Sequence, residues 1–233
     1  MNEAGELVAP LVARWGLEPA AGDQLAALLG VLADDATAPT SVRGPREAAH
    51  AHLADSLVAL ELEVVRAAGR IADLGSGAGF PGLALAVGLP DARVALVESS
   101  ARKCAFLERA IAAAGVANAE VVHARAEAWP DGADVHDLVT ARALAALPVV
   151  VEYAAPLLAM GGAVVAWRGR RDPGAEAAAA RAAAEVGLEP GEVRHVEPYS
   201  AARDRHLHVF RKTAPTPPRF PRRPGIARKR PLG

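Results

Sequence analysis

Apolar residues recur at helical spacing at Leu7, Val8, Leu11, Val12 and Trp15, and again between Leu25 and Leu32. This predicts two helices at the start of the chain. Pro39, Thr40 and Ser41 interrupt the pattern, and Ser41 or Pro45 starts a third helix carrying His50, Leu53, Leu57 and Leu60. From Arg70 the texture changes. Short apolar runs at 70–74, 93–97, 120–123, 137–140 and 163–167 alternate with helical stretches at 82–87, 101–114, 148–160 and 174–186. Such alternation calls for a parallel sheet with right-handed crossovers and helices on both faces. Two later runs, 192–196 and 206–211, have no strong helix between them and predict a closing hairpin. The expected organisation is a helical N-terminal cap (1–66), a doubly wound α/β domain (67–212) and a tail (213–233), with no internal repeat.

Composition narrows this picture. The 233 residues are 52% hydrophobic and 23% charged, which excludes wholesale disorder. A single cysteine, Cys104, excludes a disulfide framework or a cysteine-cluster zinc site and fits a reducing compartment. At 4% aromatic residues, a stacking platform for several bases is not expected. The opening residues carry Glu3, Glu6 and Asp23 and show no basic start before an apolar run, so no secretory signal is expected. The longest apolar stretch, 144–167, is broken by Pro148, Glu152, Pro156, Gly161 and Gly162, which excludes a membrane span there. A soluble, cytoplasmic protein is expected.

The formal net charge of −1 hides an asymmetry. Residues 211–233 hold eight basic side chains and no acidic one, leaving 18 basic and 27 acidic side chains in residues 1–210, a net of −9. Six prolines in the same segment predict that it forms neither helix nor strand. Composition leaves two readings of it: a solvated end, or a phosphate-binding arm whose arginines gain affinity by releasing counterions from nucleic acid.

Candidate chemistry centres on Asp73–Leu74–Gly75–Ser76–Gly77–Ala78–Gly79–Phe80–Pro81–Gly82, between the first strand and the helix that follows. Glycines there let the backbone pass close to a ligand at the carboxyl end of the strand. Gly77, Gly79 and Gly82 formally match the dinucleotide pattern G-x-G-x-x-G, but Gly75 and Ser76 intervene between strand and first glycine. Counted from Gly75, the third dinucleotide glycine would fall on Phe80. The alternative is an acid-x-G-x-G-x-G loop for S-adenosylmethionine, with Asp73 supplying negative charge near the cationic methionine end. Glu98, closing the second strand, would accept bonds from the ribose hydroxyls of either ligand. Asp73 favours the methyl donor.

The glycine loop, together with Glu98–Ser99–Ser100–Ala101–Arg102–Lys103–Cys104–Ala105–Phe106–Leu107, resembles the small-subunit rRNA guanine-N7 methyltransferase family (RsmG, also called GidB). Segments 52–57, 124–127, 140–143 and 204–207 agree in order, and the proline- and arginine-rich stretch 215–225 looks like an ending found in many members. The resemblance implies a class I, Rossmann-like methyltransferase fold with a mainly parallel seven-stranded sheet. It further implies transfer from S-adenosylmethionine to N7 of one guanine in 16S rRNA, with the small ribosomal subunit or an assembly intermediate as partner and a monomeric enzyme. Carried over by position, the cofactor site uses Gly75, Phe80, Ala126, Glu127 and Arg142, with Glu98 and Ser99 near the ribose; Asp73, Gly77 and Gly79 complete the loop. Arg125 and Arg205 match arginines near the RNA and target base, and Arg222 and Arg223 in the tail are assigned to RNA. The family usually has Ser where Thr140 stands, Glu where Asp204 stands and Lys where Arg168 stands.

Guanine N7 carries a free lone pair at neutral pH, so no general base or nucleophile is expected, and catalysis reduces to orientation. A donor placed on N7 would block that lone pair, so Arg125 or Arg205 should hold O6 or phosphate. His50 and His52 lie two apart and cannot share a helix face as ligands, while His206 and His208 lack a nearby acid pair; no metal site is expected. Cys104, Trp129 and Trp167 read as packed residues. The rivals are a small-molecule methyltransferase, a nicotinamide-dependent oxidoreductase using Gly77–Gly79–Gly82, and a non-catalytic RNA-binding protein.

Overall fold

A computed structural model of the chain describes residues 3–233; Met1 and Asn2, the start of the predicted cap, lie outside the described residues. Its centre is β1 (Arg70–Leu74), buried at every position after Arg70, as a strand covered on both faces must be. Around it lie β2 (Arg93–Glu98), β3 (Ala119–His123), β4 (His136–Arg142), β5 (Leu158–Arg168), β6 (Leu188–His195) and β7 (His206–Lys212). They form one seven-stranded sheet in the order β3-β2-β1-β4-β5-β7-β6. β1 to β5 pair in parallel, and β7 runs antiparallel to both β5 and β6. The predicted hairpin is therefore present, with its second strand inserted beside β5. Chain order reverses between β1 and β4, and ligands of such sheets bind in the crevice outside the carboxyl ends of the strands at that point.

The period-two alternation of side chains splits the core into two layers. Ile71, Leu96, Leu138 and Val165 pack with α1 (Glu3–Trp15), α2 (Pro19–Asp34), α3 (Pro45–Ala48), α4 (Asp55–Leu57), α5 (Glu63–Arg66), α6 (Gly82–Gly88) and α7 (Ala101–Ala114). Ala72, Val139, Val164 and Phe210 pack with α8 (Leu147–Ala154) and α9 (Pro173–Val186). The N-terminal helices thus cover one face of the sheet and share its core. No helix among the described residues is long and apolar enough to cross a membrane.

Three local expectations change. The third N-terminal helix starts at Pro45, whose missing N–H costs nothing in a first turn, and runs on through a π-helical stretch at Ala49–Ala54 and a 3-10 turn at Val58–Glu61. The helix predicted over 148–160 ends at Ala154, because Pro156 cannot donate to the ladder; Leu158 already pairs with His136 as β5 begins. The third change is at the C-terminus. Lys212 belongs to β7, and its ammonium, 1% exposed, donates to Ala155 O, Leu158 O and Asp134 Oδ1, which engages all three of its protons. Beyond it, Phe220 and Ala227 are buried in the second core layer, and 226–229 form a short helix, α10 (Ile226–Lys229). The prolines punctuate the tail without keeping it off the domain.

Candidate active site

β1 delivers the chain into the crevice at Asp73, paired with Thr140 of β4. Gly75, Gly77 and Gly79 all take positive φ, at +69°, +56° and +96°, a backbone region open to glycine without strain. A Cβ on Gly75 would stand 2.7 Å from Leu144 Cδ1, so that face is closed by the loop after β4. A Cβ on Gly77 would meet only Gly75 O at 3.7 Å; at that point bare backbone faces open space. The loop is held from below. Gly75 N–H donates to Val97 O at 2.8 Å, and Ser76 Oγ donates to Asp73 O at 2.8 Å.

Asp73 does not face the cleft as expected. Its carboxylate, 1% exposed, accepts from Thr140 Oγ1 at 2.9 Å and from Gly82 N at 3.2 Å, which ties the glycine loop to β4 and to the start of α6. Burial pushes this carboxyl up, against the hydrogen bonds from Thr140, Ser76 and Gly82. Asp73 is a brace. Glu98, at the carboxyl end of β2, is the acid beside the loop: Oε1 accepts from Ser99 N at 2.8 Å and Ser100 N at 2.9 Å, and Oε2 from Gly77 N at 3.2 Å. Cys104 below it donates to Glu98 O, and burial pushes its thiol up, in keeping with a packed residue.

On the other side of the switch point, a pocket of about 440 Å³ opens between the helical run and the ends of β4 and β5. Arg142, Trp167, Arg168, Arg170 and Arg205 line it, with His52 and Asp55 opposite. Arg142 is pinned by Ala51 O at 2.8 Å and Asp55 Oδ2 at 2.9 Å, and its Nη2 lies 3.3 Å from His52 Nδ1. A guanidinium only donates, so His52 Nδ1 is the acceptor and Nε2, 3.0 Å from Thr40 Oγ1, carries the proton. Burial and then the Arg142 charge lower the His52 pKa to about 4, which keeps the ring neutral. Its face stacks on Phe80 at 5.0 Å, joining the glycine loop to the helical run. Arg205 Nε lies 3.4 Å from Asp55 Oδ1, and Trp167 Nε1 donates to Asp55 O. Ala143, next to Arg142, is held at φ +54°, a strained value for alanine that turns Arg142 and Leu144 to different sides.

The predicted residues fall into three places. Gly75, Gly77, Gly79, Phe80, Glu98 and Ser99 surround the glycine loop, and Arg142 and Arg205 share the pocket. Ala126 and Glu127 sit in a 3-10 turn after β3, with Arg125 Nη1 3.9 Å from Glu127 Oε1. Arg125 and Arg205 flank β3 and β7, strands with four others between them, so they do not converge on one group. Arg222 is turned inward: its guanidinium pairs with both carboxylate oxygens of Glu152, which is 1% exposed, and donates to Arg230 O. Its guanidinium, assigned to RNA from the sequence, is thus engaged within the fold. Arg223 is exposed. Sequence reasoning missed Asp55 and gave His52 no role; the available signal was their i, i+3 spacing inside an apolar helical run.

Residues 25–207 match the family of rRNA small subunit methyltransferase G. The ribosomal RNA small subunit methyltransferase G of Rubrobacter xylanophilus is 41% identical over 196 residues, spanning 82% of this chain and 75% of the relative. That of Pelotomaculum thermopropionicum is 40% identical over 200 residues, 83% of this chain and 82% of the relative. Among solved structures, Aeropyrum pernix fibrillarin, in complex with S-adenosylmethionine, superposes with TM-score 0.52 at 20% identity over 67% of this chain and 72% of its own. The mitomycin 7-O-methyltransferase MmcR does so with TM-score 0.55 at 14% identity, over 69% and 53%. The two structures share the fold of the sheet; the matched span, which runs from α2 into β7 and holds the glycine loop, Glu98 and the arginine pocket, places the chain in the rRNA small subunit methyltransferase G family.

Proposed function

We propose that this protein transfers a methyl group from S-adenosylmethionine to N7 of a specific guanine in 16S rRNA, on the small ribosomal subunit or an assembly intermediate. When bound, the cofactor supplies a methyl group already activated by a sulfonium. Gly75, Gly77, Gly79, Phe80, Glu98, Ser99, Ala126, Glu127 and Arg142 would hold it. The bare backbone face at Gly77 next to the Glu98 carboxylate suits a ribose carried close to the loop.

The observation that carries the reading is the pocket beside the loop, which is rich in donors and whose one acidic side chain, Asp55, is set between two guanidiniums. His52 is neutral with both nitrogens engaged, and Asp55 is ion-paired to Arg142 through Oδ2, with Arg205 Nε 3.4 Å from an Oδ1 that accepts no hydrogen bond. An exocyclic amine would need a group to take its proton on attack, whereas guanine N7 presents a lone pair and releases none. The pocket residues then have to orient: Arg205, half-exposed, to hold O6 or phosphate, and Arg168 and Arg170 to neutralise the backbone around the base. Arg125 and Arg223, outside the pocket, would contact phosphates elsewhere on the RNA.

The test uses small subunits from cells lacking the protein, incubated with labelled S-adenosylmethionine and purified enzyme. Label mapped as 7-methylguanosine at a single 16S position is expected. Label on an exocyclic amine or a pyrimidine carbon, or no label in rRNA, overturns the reading.

A further inference from the structure

The basic tail is anchored at points that have nothing to do with RNA. Arg222 grips the buried carboxylate of Glu152 on α8, Phe220 is buried in the core layer below α8 and α9, and Thr216 Oγ1 donates to Val186 O. From these anchors the chain reaches the rim of the cofactor cleft at two atoms. Gly225, held at φ +83°, donates its N–H to Glu127 Oε1 at 3.0 Å. Arg228 Nη2 donates to Leu144 O at 3.0 Å. Leu144 is the residue whose side chain closes on Gly75, and the Glu127 side chain is 5% exposed with Gly225 as its backbone donor. Tyr153, buried on α8, lies between Glu127 and Arg228, close enough that each perturbs its phenol.

We propose that residues 219–230 form a strap that sets the shape of the cofactor cleft, with Gly225 and Arg228 as positioning residues that fix Glu127 and Leu144. The strap ties the far wall of the cleft, after β3, to its near lip, after β4, across α8. Without it Glu127 keeps only its long contact to Arg125 and can turn to solvent, and Leu144 is free to leave Gly75. Both movements loosen the cleft before any RNA is bound. This inference rests on the reading of the cleft as an S-adenosylmethionine site.

Isothermal titration of S-adenosylmethionine into the full-length protein without RNA tests it. Arg228→Met is expected to weaken binding about fivefold, the order of one lost charge-assisted hydrogen bond acting through a neighbour, with the melting temperature nearly unchanged. Arg228→Lys, which keeps a donor facing Leu144 O, should restore most of the affinity. Gly225→Ala, where open space leaves backbone strain as the only penalty, should weaken binding similarly. Lys229→Met and Arg230→Met, exposed neighbours of equal charge, should leave it unchanged. Equal affinity of Arg228→Met and wild type, or equal losses in all the charge variants, overturns the strap. Failure of wild type itself to bind S-adenosylmethionine overturns the cofactor reading, and the strap with it.

Discussion

Replacing Arg222 with methionine separates a structural guanidinium from an RNA ligand. Glu152 is buried on α8, and both of its carboxylate oxygens are paired to Arg222. Removing one partner of a buried ion pair leaves an uncompensated charge and costs about 3–5 kcal/mol. The Glu152 carboxylate can escape the upper figure by lifting the strap into solvent, which re-exposes Phe220 at a cost of about 2–3 kcal/mol. Arg222→Met is therefore expected to lose about 3 kcal/mol of stability, and Glu152→Met, which strands the guanidinium at a less buried position, somewhat less. The double variant Glu152→Met/Arg222→Met replaces the pair by apolar side chains and should return to within about 1 kcal/mol of wild type. Urea denaturation of the four proteins, followed by circular dichroism, gives the cycle. If Arg222→Met stays within about 0.5 kcal/mol of wild type and instead loses RNA affinity, the inward pairing is wrong and the sequence-based assignment to RNA is right.

Three further outcomes are expected. His52 has a folded-state pKa of about 4 against an ordinary 6.5, so its contribution is intact above pH 6.5 and is lost as the pH falls towards 4. At pH 5 this amounts to about 2 kcal/mol, and the stability lost between pH 7 and pH 5 should be smaller in His52→Gln by that amount; identical pH profiles refute it. Gly77→Ala places a side chain on the open face of the loop at φ +56°; calorimetry should show S-adenosylmethionine affinity falling at least tenfold while the fold survives a strain of about 1–2 kcal/mol. Changing Arg223, Lys229 and Arg230 together to glutamine should flatten the salt dependence of RNA binding by about two units of slope, and an unchanged slope removes these three from the RNA interface.

The elements and the glycine loop were legible because their signals are local. A strand buried on both faces reads as a continuous apolar run, and left-handed turns demand glycine at Gly75, Gly77 and Gly79 whatever surrounds them. What the sequence hid is where each buried charge finds its counter-charge. Glu152 served to break an apolar stretch and argue against a membrane span; in the folded chain it marks the docking point for a segment 70 residues away. Asp73, expected beside the cofactor, instead meets Thr140 from a strand 67 residues on. His52 and Asp55 gain their meaning only when β4 brings Arg142 to them.

The same reasoning changes what the tail's charge means. Lys212 is consumed by Asp134 and two carbonyls, Arg222 by Glu152, and Arg228 by Leu144 O, while Arg219 lies near Glu185. Of the eight cations only Lys212 and Arg222 are drawn out of solvent; Arg219 and Arg228 are exposed but partnered, and Arg211, Arg223, Lys229 and Arg230 are exposed. A count of the tail's charge reports a local field, felt by a phosphate backbone only within about a Debye length against the net −9 of the body. Which cations touch RNA is decided by which acids the fold has already brought to them, and here Arg222, the most deeply placed arginine of the tail, is spent on Glu152 of α8.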